Sequence, residues 1–334
     1  MGVFKSELNM NPPKDNAEDY DITFVVQGPI KILRDRNLTK ESLFSIRKFF
    51  PNSCIILSTD EGSSLEGLSF DQVVFSKPPI PALIENDKSR HLMSANFQIC
   101  SSKAGLRLVE SKYAIKLRSD MVFTKNSLPE LLAKTRTFKR NSKFSITREP
   151  VIVLDWSTIN PKKALPILHH PSDHLYLGLS SDVKEIWDTP LYPTEYMRWF
   201  ECNTMPQGAR HGGNLQRFRA EEWIWLNYLK PHLTYQVENS YEYCHEAIDE
   251  SLAFMVNNLV VISSKTLGVQ ENPYSQRTWR TKIKMMSHDE WCSFASKYGA
   301  KIEKLDNSVY DKVLKIVWWV LKKLSMQEFV FKKT

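Results

Sequence analysis

The chain has 334 residues, 42% of them hydrophobic and 25% charged, with a net charge of +7 and a pI near 9.0. That composition excludes collagen-like, low-complexity and disordered classes and leaves room for one large domain or two modest ones. Cys54, Cys100, Cys202, Cys244 and Cys292 stand singly, without a CxxC pair, which argues against a disulfide framework or a zinc ribbon and for a reducing compartment.

Residues 1–20 are polar, with no apolar core of a secretory signal, so a cytoplasmic location is expected. Asp21 to Gln27 is a β-branched and aromatic run closed by Gly28 and Pro29, the pattern of a buried strand and a turn. Thr39 is placed to cap a helix that runs to Phe49, and Cys54 to Leu57 follows as a second strand. Asp71 to Phe75 gives a third strand, Ser89 to Ser111 a helix and Tyr113 to Leu117 a fourth strand. Alternation of this kind predicts an α/β fold, a mostly parallel central sheet flanked by helices.

Ligands of such sheets bind beyond the carboxyl ends of the strands, so those ends are read first. They carry Gln27 and Gly28, then Thr59 and Asp60, then Lys116, Arg118 and Asp120. Strand alternation sets the last three on one face, opposite Ile115 and Leu117. Two cations and a carboxylate at a strand end mark either an ion-pair network or a site for phosphate and metal. On the second reading Asp120 is a ligand for Mg²⁺ or Mn²⁺.

Beyond about Lys125 the pattern loosens into short apolar runs at 144–146, 151–154 and 175–179, and Glu221 to Leu229 reads as a helix ended by Pro231. Two general-base candidates lie here: Asp173, just before an apolar run, and the Glu221/Glu222 pair that opens the helix. A turn carboxylate and a helix-start charge explain the same residues structurally. His245 is a further candidate metal or phosphate ligand. No GxGxxG, GxxxxGK[ST], HExxH or GxSxG occurs, so dinucleotide oxidoreductases, P-loop NTPases, zincins and α/β-hydrolases lose ground.

Four stretches together, DITFVVQGPI (21–30), IILSTDEG (55–62), NDKSRHLMSANFQICSSKAGL (86–106) and KYAIKLRSDM (112–121), resemble the WavE lipopolysaccharide-synthesis family. HPSDHLYLG (170–178) and RFRAEEWIWLNYL (217–229) match more weakly. The resemblance implies a GT-A-like glycosyltransferase that uses a nucleotide-sugar donor and, as cofactor, a divalent cation. It also implies Arg90 as a diphosphate or base contact, with Gln27, Gly28, Thr59, Asp60, Lys116 and Arg118 lining the donor site. The chain departs from the pattern at Asp60, at Ser89 and His91, and at Arg118-Ser119-Asp120, where one carboxylate stands in place of the two of an Asp-x-Asp. On this basis 21–125 is the donor-binding half, 126–250 the acceptor-binding half of the same domain, and 251–334 a C-terminal extension.

Val313, Ile316, Val317, Val320, Leu321 and Leu324 fall on one helical face, with Trp318, Trp319 and several Lys beside it. The stretch about 311–325 is too short and too charged to span a bilayer, and it reads as an interfacial helix on an anionic inner leaflet, where lipid-linked glycan acceptors lie. A helix packed on the domain would show the same stripe. The expected partners are thus a nucleotide sugar, a glycan acceptor and a membrane surface, with no nucleic acid. A sugar-phosphate transferase or nucleotidyltransferase is the alternative enzyme, and a basic nucleic-acid-binding or scaffold protein the non-catalytic one, which lacks a continuous basic stripe beside stacking aromatics.

Overall fold

Ile22–Gln27 forms β1, every residue of which is buried, as expected of a strand covered on both faces. It is the centre of a computed structural model that describes residues 21–77, 83–86, 89–92, 94–163, 166–205, 215–270, 284–301 and 305, with backbone alone for 83–92. The other strands of its sheet are β2 (Cys54–Asp60), β3 (Gln72–Ser76), β4 (Tyr113–Arg118), β5 (Val151–Leu154), β6 (Leu175–Leu179) and β7 (Leu259–Ile262). Their spatial order is β7-β5-β6-β4-β1-β2-β3. Only β6 runs against its neighbours; every other pairing is parallel.

Side chains paired across parallel strands share a face, so the register sorts the core. Phe24 stacks with Phe50 and Phe123 on one face, where α1 (Leu38–Phe49) packs. Val25 and Gln27 point to the other face, covered by α2 (Ala95–Arg107). The approach is close at Gly105, where an added Cβ would stand 2.5 Å from a Val25 methyl and 2.9 Å from Ser58 Cβ. Beside α2 lies α4 (Ser180–Trp187), whose Trp187 meets Tyr176 of β6 edge to face.

The remaining helices that bear on the site are α3 (Leu128–Arg136), α5 (Ala220–Leu229), α6 (His245–Asn258) and α7 (His288–Lys297). Helix α6 leads straight into β7, which pairs with β5, so residues beyond 250 complete the same sheet. None of the helices among the described residues is long and apolar enough to cross a membrane.

Three local expectations are corrected. The cap of α1 is Asn37, whose Oδ1 accepts from Lys40 N at 2.9 Å, while Thr39 Oγ1 is buried and accepts from Lys31 N at 2.8 Å. The helix expected from Ser89 begins only at Ala95, because Leu83–Asn86 and Ser89–Leu92 pair as an antiparallel hairpin. The run 144–146 is irregular; Ile146 N donates to Asn258 Oδ1 instead of to a strand. The basic stretch about 311–325 lies outside the described residues.

Candidate active site

From β1 the chain moves outward through β2 and β3, then returns beneath α2 to β4 on the opposite side of β1. The order of strands therefore reverses between β1 and β4, and the crevice beyond their carboxyl ends is where an open α/β sheet binds its ligand. Gly28 leaves β1 at φ +125°, a backbone open to glycine, and a Cβ there would meet Ser119 Oγ at 3.2 Å. Ser119 ties the two strand ends together: its N donates to Gln27 O at 2.9 Å and its Oγ donates to Pro29 O at 2.8 Å.

On that floor Arg118 grips Asp120 with both arms of its guanidinium, Nε to Oδ1 at 3.0 Å and Nη2 to Oδ2 at 2.8 Å. Asp120 is buried, whereas 41% of the Arg118 side chain remains exposed. Burial works against the Arg118 charge, but Asp120 more than offsets it and holds the guanidinium firmly cationic. The strand end thus presents a fixed cation to the crevice.

The other donor-side expectations separate. Asp60, at the end of β2, is raised above the ordinary carboxyl range by burial, and Thr59 Oγ1 lies 3.2 Å from Ser63 Oγ. Gln27 is buried and donates to Ser101 Oγ of α2 at 2.7 Å, so it holds helix to sheet and does not offer its amide to the crevice. Arg90 falls in the hairpin strand Ser89–Leu92, and its side chain is outside the described residues.

Lys116 departs furthest from expectation. It shares the face of Arg118, yet it lies fully inside the domain, with Nζ donating to Asp173 O at 2.6 Å and standing 4.1 Å from the centre of the Trp187 ring. So placed, its ammonium faces the Asp173 carbonyl and the Trp187 ring. Burial pulls its ammonium down to about 7, Asp173 and Glu221 draw it upward, and Arg118 pushes it down.

Asp173 and Glu221 are brought into one electrostatic cluster with these cations. Gln98 of α2 donates to Asp173 Oδ2, and His174 Nε2 lies 3.5 Å from Oδ1. Burial opposes ionisation of Asp173, but His174, Lys116, Gln98 and Arg118 together hold it below the usual carboxylate range. Glu221 is pushed the other way, up to about 7, by burial and by the neighbouring Asp173 charge. Its Oε2 is 3.7 Å from His170 Nε2, a contact and not an ion pair, because burial drives His170 down to about 4. Two carboxyls whose environments drive them apart are the usual mark of an ionised group beside a proton carrier.

Glu222, the third candidate, has a structural task. It is the acidic half of the cap of α5, accepting from Arg219 N at 2.8 Å and from the Ser240 hydroxyl. His245 is exposed in the first turn of α6. Among the described residues no group of three or more His, Cys, Asp and Glu side chains is arranged to hold a metal ion. Both Asp120 oxygens accept one bond from Arg118, so a divalent cation there would share the carboxylate with the guanidinium. Sequence reasoning singles out neither Gln98 nor Trp187; His170 and His174 stand in the cluster His169-His170-Pro171-Ser172-Asp173-His174, which invites a metal reading although its spacing matches no standard zinc site.

The model of the WavE lipopolysaccharide-synthesis family matches residues 22–326, nearly the whole chain. The chain belongs to the WavE family. Its crevice residues from Gly28 to Glu221 all lie within that match. No curated protein matches this WavE chain. Among solved structures it is similar to the 4-diphosphocytidyl-2C-methyl-D-erythritol synthase of Anaerococcus prevotii, at 11% identity and a TM-score of 0.30. That likeness spans 55% of this chain and 84% of the other, and is too distant to bear on the chemistry.

Proposed function

We propose that the chain is a glycosyltransferase that moves a sugar from a nucleotide-sugar donor to a lipopolysaccharide core, O-antigen or capsular glycan. The observation that carries this reading is the juxtaposition, at the reversal point of the sheet, of the Arg118–Asp120 fork with the Asp173 and Glu221 carboxyls. Gly28, Asp60 and Arg118 line the donor side, and Arg118 neutralises the diphosphate as it departs. Glu221, titrating near neutrality, takes the proton from the acceptor hydroxyl. The acceptor oxygen then bonds to the anomeric carbon, and the bond from that carbon to the diphosphate oxygen breaks with its electron pair leaving on the nucleotide. Asp173 stays ionised and supports the developing positive charge of the sugar. A divalent cation, if recruited to Asp120, would add charge neutralisation at the diphosphate. The basic stretch about 311–325 would bring the enzyme to anionic lipid at the inner leaflet.

Product analysis tests the reading. A nucleotide sugar and an acceptor glycan should yield free nucleoside diphosphate and an extended glycan. Release of pyrophosphate or of nucleoside monophosphate would overturn it in favour of nucleotidyl or sugar-phosphate transfer.

A further inference from the structure

Lys116 is a buried cation without a carboxylate in contact, and burial of that kind opposes folding unless something local repays it. Its environment shows what it holds. The antiparallel ladder between β4 and β6 ends where Arg118 N donates to His174 O at 3.1 Å. Asp173 sits one residue beyond that last ladder bond, so its carbonyl has no strand to pair with. Lys116 Nζ fills the place at 2.6 Å, steadied from the other side by the Trp187 face at 4.1 Å. The turn is tied elsewhere on both sides of that carbonyl: His169, at φ +51°, donates its N to Ser251 Oγ at 2.9 Å, Ser172 N donates to Thr158 Oγ1 at 2.9 Å and His174 N donates to Ser172 Oγ at 3.3 Å, while Gln98 holds the Asp173 carboxylate and Lys116 the Asp173 carbonyl.

We propose that Lys116 is a positioning residue: by holding the Asp173 carbonyl it fixes the last step of the 169–174 turn and sets the Asp173 carboxylate against Glu221. The role rests on the reading of Asp173 and Glu221 as the reacting side of the site. The bonded arrangement from Lys116 to the Asp173 main chain does not. An error of about 1 Å in placing such a group costs on the order of 100-fold in rate.

The test uses the full chain carrying Lys116→Met, which keeps the length of the side chain without its charge, and Lys116→Gln as a second variant should the first fold poorly. Amide hydrogen exchange is followed across 170–176, with β1 and β5 as internal references, and kcat and donor KM are measured for transfer. Exchange at 173–175 should rise by about tenfold or more while β1 and β5 stay protected. Donor KM should stay within about twofold, and kcat should fall by about 100-fold. Unchanged exchange at 173–175 in both variants overturns the proposal whatever the activity. Raised exchange with full kcat overturns the catalytic placing of Asp173 and Glu221, and with it the positioning role. If the wild-type chain transfers no sugar at all, the functional reading fails, and the exchange result still decides whether Lys116 holds the turn.

Discussion

Replacing Glu221 by Gln removes the carboxyl whose ionisation the site opposes most strongly. Lifting that carboxyl from 4.5 to about 7 disfavours its ionised form in the folded chain by on the order of 3 kcal/mol. The unfolded chain releases the proton near 4.5 and the folded chain near 7, so the folded state binds more protons between those values. Stability therefore falls as pH rises through that window and stays low above it. Gln carries no such loss. Wild type and Glu221→Gln should melt together at about pH 4, and at about pH 8 the variant should be more stable by up to about 3 kcal/mol, a rise in Tm of roughly 4 °C. Calorimetric melts across the pH series read this directly. A Tm difference that is the same at both ends, or that favours the wild type at the alkaline end, would refute the electrostatic account of Glu221. The same variant should lose transfer, since it cannot take up the acceptor proton.

Transfer by the wild type should rise with pH through about 7 as Glu221 becomes ionised, with the acid limb seen in kcat/KM; a flat profile from about pH 5 to pH 8 would remove Glu221 as base. Arg118→Lys keeps the charge but loses the fork on Asp120, and should raise donor KM by about tenfold; an unchanged KM would free Arg118 of that role. Glu222→Ala should lower stability by about 1–3 kcal/mol through loss of its capping and Ser240 bonds, measured by urea unfolding, whereas Glu221→Ala should not. Gly105→Ala forces a Cβ against Val25 and Ser58 and should cost about 1–3 kcal/mol in the same assay.

The strands β1 and β4 are legible because apolar runs between turn residues leave few other readings, and their pairing puts Gly28 and Asp120 in one crevice as the sheet rule requires. Alternation places Lys116 on the face of Arg118 correctly, but a period of two reports a face and not a depth. Helix α2 and Trp187 cover the inner part of that face and leave only its outer end open, which is why Arg118 reaches the crevice and Lys116 does not. Glu221 and Glu222 are indistinguishable as a pair opening a helix. They differ because Glu222, at the third helical position, reaches back to its own cap, while Glu221 faces His170. Helix α2 starts later than its sequence suggests because Ser89–Leu92 pairs with Leu83–Asn86, and with no Gly or Pro between that hairpin and Ala95 the sequence carries no strong break to announce it.

If the crevice between the ends of β1 and β4 holds a sugar nucleotide, as proposed, thermal shift with a panel of nucleotide sugars, with and without Mn²⁺, reads that binding without depending on the acceptor. At about 100 times its Kd, the true donor should stabilise the wild-type chain by about 2.7 kcal/mol, and the shift should be smaller in Asp120→Asn. A panel that leaves the wild-type Tm unmoved, or a donor that shifts Asp120→Asn as far as the wild type, would contradict it.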